Sequence, residues 1–459
     1  MATTWLADAE PETCWAHRAW PDFAALPQKE SAVVVLPLHG LADHGASRPL
    51  DVEELLGGAL LRRAVEQVKA HFVVRVLPPL RFLPASGTGG FFEVDPETAH
   101  DLVAEMAASV KAAGFHKLVF LNTSSVNEPF VATAALDARA GSGLRTYVIH
   151  TRLLGLDPAR HKSDDVAPFA AHLAKLLTEI RGHLAPPPSV FAADEPAPPV
   201  VPATIFPACR SRYLPAFTSL QLAAVSGNKD GLVIVPTGAI EQHGPHLPVG
   251  VDAILGQVLL DAALRRLPPD FPVFVAPPVT CGKSIEHREY AGTVSLSTKT
   301  LRRLVLAVAE QISALGLRRL ALLNTHGGNS AVLASVLREI KESLGLEAFL
   351  LRPGHAPDLG AQEAAWGFHA GEWETSLMLA CAPELVRMDR AAGEYPARLD
   401  DPGELRPEDA PATFAWMTQD LSRNGVMGDP TLATREKGAR WLSIAAETLT
   451  SRILQLSGK

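Results

Sequence analysis

The sequence predicts an α/β protein made of two units, each a mainly parallel sheet with helices on both faces. Three observations lead there. Short apolar runs of strand length alternate with longer stretches of helical periodicity, the pattern of strands joined by crossover helices. A proline-rich stretch, PPPSVFAADEPAPPVVP over residues 186–202, interrupts that alternation. Blocks on either side of it also repeat in order and spacing.

Taken in order, residues 33–36 (VVVL) form a short apolar run of strand length. Residues 55–69 and 99–113 carry helical spacing, and 72–77 and 118–121 return to strand. Seven of the 17 residues over 186–202 are proline, which lacks a backbone donor and disfavours helix at the preceding residue. That stretch is expected to be a semi-rigid linker between a unit over 1–185 and another over 203–459. In the second unit, 232–236, 271–276, 320–323 and 347–351 read as strands. Residues 253–266, 301–315, 330–344 and 375–381 read as helices, the third of them capped by Asn329 or Ser330.

The repeat is visible residue by residue. AVVVLPLHGLADHGASRPLDVEE from Ala32 is similar to LVIVPTGAIEQHGPHLPVGVDAI from Leu232 when Pro37 is set on Pro236. This places His44 on His243 and Glu53 on Asp252. KLVFLNTSSVN from Lys117 lies over RLALLNTHGGN from Arg319, and Arg18-Ala-Trp-Pro is aligned with Arg212-Tyr-Leu-Pro. A tandem duplication is the expectation.

Composition narrows the function. Lys and Arg number 42 against 50 Asp and Glu, a net charge of −8, so nothing favours nucleic acid or an anionic membrane as partner. The start, MATTWLADAEPE, has no basic and apolar regions of a signal peptide, and no apolar run approaches the ~20 residues a bilayer requires. Cys14, Cys209, Cys281 and Cys381 are widely spaced, as expected of reduced thiols in a cytoplasmic protein. Neither a G-x-S-x-G, a P-loop nor a dinucleotide fingerprint occurs.

In a parallel sheet, ligands bind beyond the carboxyl ends of the strands, and the second unit's polar residues gather there. Glu241-Gln-His243 follows the first strand, Asp252 opens the next helix, and His326-Gly-Gly-Asn329 follows a later strand. His369-Ala-Gly-Glu372-Trp-Glu374 opens a further helix. Carboxylates and histidines in that setting suit Zn²⁺, Mn²⁺ or Fe²⁺, and a bridging carboxylate suits a pair of ions. The same residues could instead cap helices and fill turns. His246 reads as supporting or structural, His287 as either a pocket or a loop residue, and His116, His150 and His355 as ordinary.

PTGAIEQHGPHLPVGVD, NTHGGN and HAGEWETS resemble three motifs of the creatininase (creatinine amidohydrolase) family, and Gly292-Thr-Val-Ser-Leu-Ser and Gly425-Val-Met-Gly-Asp-Pro also fit its pattern. The resemblance covers nearly all of residues 204–459. It implies a three-layer α/β fold and a hydrolase with two divalent metal ions, cleaving a non-peptide C–N bond, often in a small cyclic amide, through a metal-held hydroxide. Carried over by position, it implies that Glu241 and His243 each bind one ion, Asp252 bridges them and His326 completes the first site. His369 is then the proton donor or acceptor, Glu374 supports it, and Ser284 contacts substrate. Creatininase itself has a glutamate two residues after the histidine of its second motif, where this chain has Gly328. Glu372 is the expected replacement ligand, and creatinine as substrate is put in doubt.

In the first unit, Ala42, Glu53 and Ser124 stand at the positions of Glu241, Asp252 and His326, and only His44 is kept. His161-Lys-Ser-Asp-Asp165 is the nearest counterpart to HAGEWETS. One histidine and one carboxylate are too few for a tight divalent site, so this copy is expected to be inactive, packing on, covering or regulating the other. The expected partner is a small-molecule substrate, with the chain a monomer or a trimer of pseudo-dimers. The rival readings are a pseudoenzyme that retains the fold as a binding or scaffold protein, and a hydrolase of a non-amide bond.

Overall fold

The computed structural model describes residues 5–6, 9–84, 90–182, 206–354, 358–396 and 415–457. The expected linker over 186–202 lies outside the described residues, as does His355. Two four-stranded sheets result, both entirely parallel. The first contains β1 (Val33–Leu38), β2 (Val74–Val76), β3 (Lys117–Asn122) and β4 (Arg145–His150), in the order β2-β1-β3-β4. The second contains β5 (Leu232–Thr237), β6 (Val273–Val275), β7 (Arg319–Asn324) and β8 (Glu347–Leu351), in the order β6-β5-β7-β8.

The central strands are buried on both faces, which is why they read as unbroken apolar runs. Along β5, Val233 and Val235 join one apolar cluster while Leu232 and Ile234 join another. Along β7, Leu320 and Leu322 face the first cluster, Ala321 and Leu323 the second. Helices Thr298–Ala314 and Ser330–Leu344 close one side of that sheet, and Val251–Leu264 with Arg435–Leu456 the other. The α/β class and the parallel sheets agree with the sequence expectation.

Registers match across the halves. Val33↔Val74 recurs as Leu232↔Val273, and Lys117↔Arg145 as Arg319↔Glu347. The aligned lead-ins do not match. Cys14 bridges Val76 and Tyr213 bridges Val275, so Cys14, not a residue after Arg18, corresponds to Tyr213. The shared proline had drawn the alignment to the wrong register. Among the described residues, three helices of 15 residues or more also escape the periodicity reading: Glu128–Ser142, Ala167–Gly182 and Arg435–Leu456.

The halves share buried contacts. Glu105 accepts from Ser297 N (2.9 Å) and Thr300 Oγ1 (2.8 Å), capping helix Thr298–Ala314 from the opposite half. Leu50 N donates to Phe217 O (3.1 Å) and Asp51 N to Pro215 O (2.9 Å). Reciprocally, Val249 N donates to Arg18 O and Gly250 N to Ala16 O, both at 2.7 Å. No helix among the described residues is long and apolar enough to cross a membrane.

Candidate metal centre

The loop leaving β5 carries Glu241 and His243, and Asp252 stands in the first turn of helix Val251–Leu264. The loop is closed by Glu241 N donating to Val249 O (2.9 Å). Thr325, just after β7, donates through Oγ1 to Asp252 O (2.9 Å), tying that helix start to the segment bearing His326. Asn329 clasps the neighbouring loops: Lys283 N donates to its Oδ1 (2.8 Å), and its Nδ2 donates to Gly238 O (3.0 Å). His369 sits in a short antiparallel bridge with Met427, and Glu374 in the first turn of helix Glu372–Cys381.

These elements bring ligand atoms to one place. Glu241 Oε1 lies 3.2 Å from His326 Nδ1, 3.7 Å from both His287 Nε2 and His369 Nδ1, and 4.0 Å from His243 Nε2. Asp252 faces two ways, Oδ1 3.7 Å from His243 Nε2 and Oδ2 3.6 Å from His326 Nδ1. Glu374 Oε1 is 3.8 Å from His243 Nε2. Donors around a first-row divalent ion stand about 3.0–3.5 Å apart, so these gaps are close to ligand spacing and mostly too long for hydrogen bonds. Three groups emerge: Glu241, Asp252 and His326; His243, His369 and Glu374; and Glu241, His287 and His369.

Two observations show that the residues fit metal ions. Glu241 Oε2, His243 Nε2 and Asp252 Oδ2 are buried without any hydrogen-bond partner, a costly arrangement unless something else binds them. Each histidine is also anchored by its other nitrogen. His243 Nδ1 donates to Glu241 O (3.0 Å), His326 Nε2 to Lys283 O (2.8 Å) and His369 Nε2 to Gln242 O (2.8 Å). At His287 the anchored nitrogen is Nδ1, 2.7 Å from Thr418 Oγ1 and 2.9 Å from Gln242 Nε2. The nitrogen left in each ring faces the carboxylates, where it can offer a lone pair to a bound cation.

Electrostatics agree. Burial pushes the Glu241 carboxyl up, and raises Glu374 to about 7 despite His243 beside it. Burial alone would depress His243 and His326. The carboxylates Glu374 and Asp252 outweigh it at His243, lifting it to about 9, and Glu241 does so at His326, lifting it to about 10. His287 and His369 are held well below the ordinary range by burial and by neighbouring imidazoles. Crowded carboxylates in a water-poor place borrow histidine protons here, a demand that divalent cations meet more fully.

Of the residues singled out in the sequence, Glu241, His243, Asp252, His326, His369 and Glu374 come together. Ser284 is fully buried with Oγ 3.2 Å from His326 Nε2. Glu372 does not join them. Two residues along a helix point apart, and its carboxylate instead pairs with Lys437 Nζ at 2.5 Å, so Glu374 is the carboxylate facing the cluster. Glu372→Gln is accordingly expected to leave the number of bound divalent ions unchanged, as read by elemental mass spectrometry. His287, left open by the sequence, belongs to the cluster. Gln242 went unremarked between two candidate ligands; its Nε2 donates to Gly425 O (2.9 Å) and its Oε1 accepts from Gly244 N (2.8 Å). His246 is buried apart, its Nε2 2.9 Å from Thr375 Oγ1.

In the first half, His44 Nε2 meets Glu53 Oε1 at 2.9 Å, Gly40 N donates to Glu53 Oε2 (2.9 Å), and Ser124 Oγ is buried without a partner. Among the described residues, no group of three metal-ligating side chains forms there.

The family model described as "Creatininase: Creatinine amidohydrolase" matches residues 16–182 and 216–453. The mycofactocin precursor peptide peptidase of Mycobacterium ulcerans (strain Agy99) is 34% identical over 227 residues, 48% of this chain and 84% of that protein. The creatinine amidohydrolase of Pseudomonas putida is 30% identical over 244 residues, 49% of this chain and 89% of that protein. A solved structure named "Creatininase Mn" aligns with a TM-score of 0.46 at 24% identity, covering 53% of this chain and 98% of that one. With the family's pattern running through both halves, the chain belongs to the creatininase family of hydrolases.

Proposed function

We propose that this protein is a metal-dependent amidohydrolase with one active site, in its second half. The observation that carries this reading is the trio of buried, unpartnered atoms, Glu241 Oε2, His243 Nε2 and Asp252 Oδ2, set among anchored histidines. Glu241, Asp252 and His326 would hold one ion, and His243, Asp252 and Glu374 the other, with Asp252 between them. When bound, such ions polarise an amide carbonyl and make water acidic enough to attack at neutral pH. His369, its Nε2–H fixed on Gln242 O and its Nδ1 toward the cluster, is placed to carry a proton to the leaving nitrogen. Ser284 Oγ, beside His326, would orient substrate.

The bond is a C–N amide, in a small or cyclic substrate. A second reading places it at a peptide end, which the name of the Mycobacterium ulcerans relative favours. The matching registers and the family pattern in both halves support a tandem duplication, with residues 1–185 an inactive copy and 203–459 the catalytic one.

The test is metal content after reconstitution with Mn²⁺ or Zn²⁺, followed by product analysis on cyclic amides and on short peptides. About two ions per chain and a newly freed amine are expected. A chain that takes up no metal after reconstitution overturns the reading. An amine freed from a peptide end, with cyclic amides left intact, decides for the second.

A further inference from the structure

Glu363 lies in the short helix Ala361–Trp366, only 2% exposed, and belongs to none of the ligand groups. Its carboxylate accepts three hydrogen bonds from three separate segments: Glu372 N to Oε1 (2.7 Å), Tyr395 Oη to Oε2 (2.8 Å) and Asp429 N to Oε2 (2.9 Å). Three glycines make room for it. A Cβ at Gly367 or Gly371 would collide with the carboxylate, and one at Gly428 would stand 2.8 Å from Oε1. A buried charge balanced by donors from three loops fixes those loops relative to one another.

What they carry is half of the candidate centre. Gly371 offers no side chain to cap helix Glu372–Cys381, and Glu363 does so in its place by taking Glu372 N. One residue earlier, Ala370 is held at φ 55°, in the left-handed region a non-glycine residue rarely adopts. In that conformation Ala370 N donates to Glu374 Oε2 (2.6 Å), leaving Glu374 Oε1 toward His243. On the far side, Met427 N donates to His369 O (2.9 Å), and the same strand runs through Gly428 to the Asp429 N–H that Glu363 holds. Both strands of the bridge that carries His369 therefore converge on one carboxylate.

We propose that Glu363 is a positioning residue for the ion held by His243, Asp252 and Glu374: it keeps Ala370 and the first turn of the helix where Glu374 completes that site. The inference rests on reading this cluster as a two-ion centre. Glutamine at 363 preserves shape but turns an NH₂ toward at least one of the three donors. Phenylalanine at 395 removes one donor only.

The experiment titrates Mn²⁺ into metal-free full-length wild type, Glu363→Gln and Tyr395→Phe, by calorimetry, with circular dichroism and thermal unfolding of each. In Glu363→Gln one ion is expected to bind as in wild type and the other about 10–100-fold more weakly, with the folded spectrum retained. Tyr395→Phe should weaken the same ion by less than about tenfold. Equal weakening of both ions in the two variants, or loss of the folded spectrum in Glu363→Gln with no selective change in Tyr395→Phe, makes Glu363 a structural residue only. Two wild-type affinities in Glu363→Gln overturn the inference while sparing the metal centre. A wild type that binds no Mn²⁺ overturns the metal reading itself and the inference with it.

Discussion

Glu241→Gln is expected to lower hydrolysis at least about a thousandfold and to remove bound metal from the chain. The reason is geometric. One oxygen, Oε1, lies within 4.0 Å of imidazole nitrogens from His243, His287, His326 and His369, and the other, Oε2, is buried without a partner. Glutamine fills the same space but is neutral and turns an NH₂ toward lone pairs that should face a cation. The substitution therefore removes charge and directionality without opening a cavity, so the fold should persist. Thermal unfolding separates the two effects. Wild type should gain stability on adding Mn²⁺ or Zn²⁺, since a ligand that binds only the folded state stabilises it in proportion to its occupancy, and the variant should not. Glu53→Gln, at the first half's counterpart of Asp252, serves as the contrast: activity and metal content should be unchanged, because the Glu53 carboxylate is engaged by His44 and the Gly40 N–H and joins no metal-ligating group. Wild-type activity and metal in Glu241→Gln would sink the proposed mechanism.

The candidate site was legible where chemistry and chain position coincide. Glu241, His243 and His326 follow strand ends within a few residues and Asp252 opens the helix after β5, so a strand-and-helix reading is enough to place them on one edge of the sheet. The choice between Glu372 and Glu374 was not legible, because it depends on where the helix begins. Once Glu372 is its first residue, the two side chains diverge, and Lys437, distant in sequence, takes the first. Glu363 was less legible still: its three partners lie 9, 32 and 66 residues away, and only folding makes them neighbours. The match of Arg18 to Arg212 failed for a related reason. Identical residues suggested it, but backbone bridges to β2 and β6 set the register.

Trp15→Ala and Phe23→Ala are each expected to cost about 3–5 kcal/mol of stability and to weaken metal binding in the other half of the chain. Both side chains are almost fully buried, and both reach across: Trp15 Nε1 donates to Gly292 O (2.8 Å), and the Phe23 ring occupies the space a Cβ at Gly292 would need. Between them, Ala16 O and Arg18 O accept from Gly250 N and Val249 N, the residues that lead into Asp252, while Val249 O holds Glu241 N. A cut at Trp15 or Phe23 thus loosens the loop on which Glu241 and Asp252 depend. Simple loss of packing predicts a lower unfolding midpoint with Mn²⁺ affinity intact in the folded protein. Bracing predicts that both fall together, and that the losses from Phe23→Ala and Glu53→Gln differ sharply although both residues lie in the half without a metal cluster. If affinity stays at the wild-type value while stability drops, the first half contributes only a packing surface. If both drop, its lead-in segment is part of the machinery that holds the centre, and the second half should not bind metal normally once separated from it.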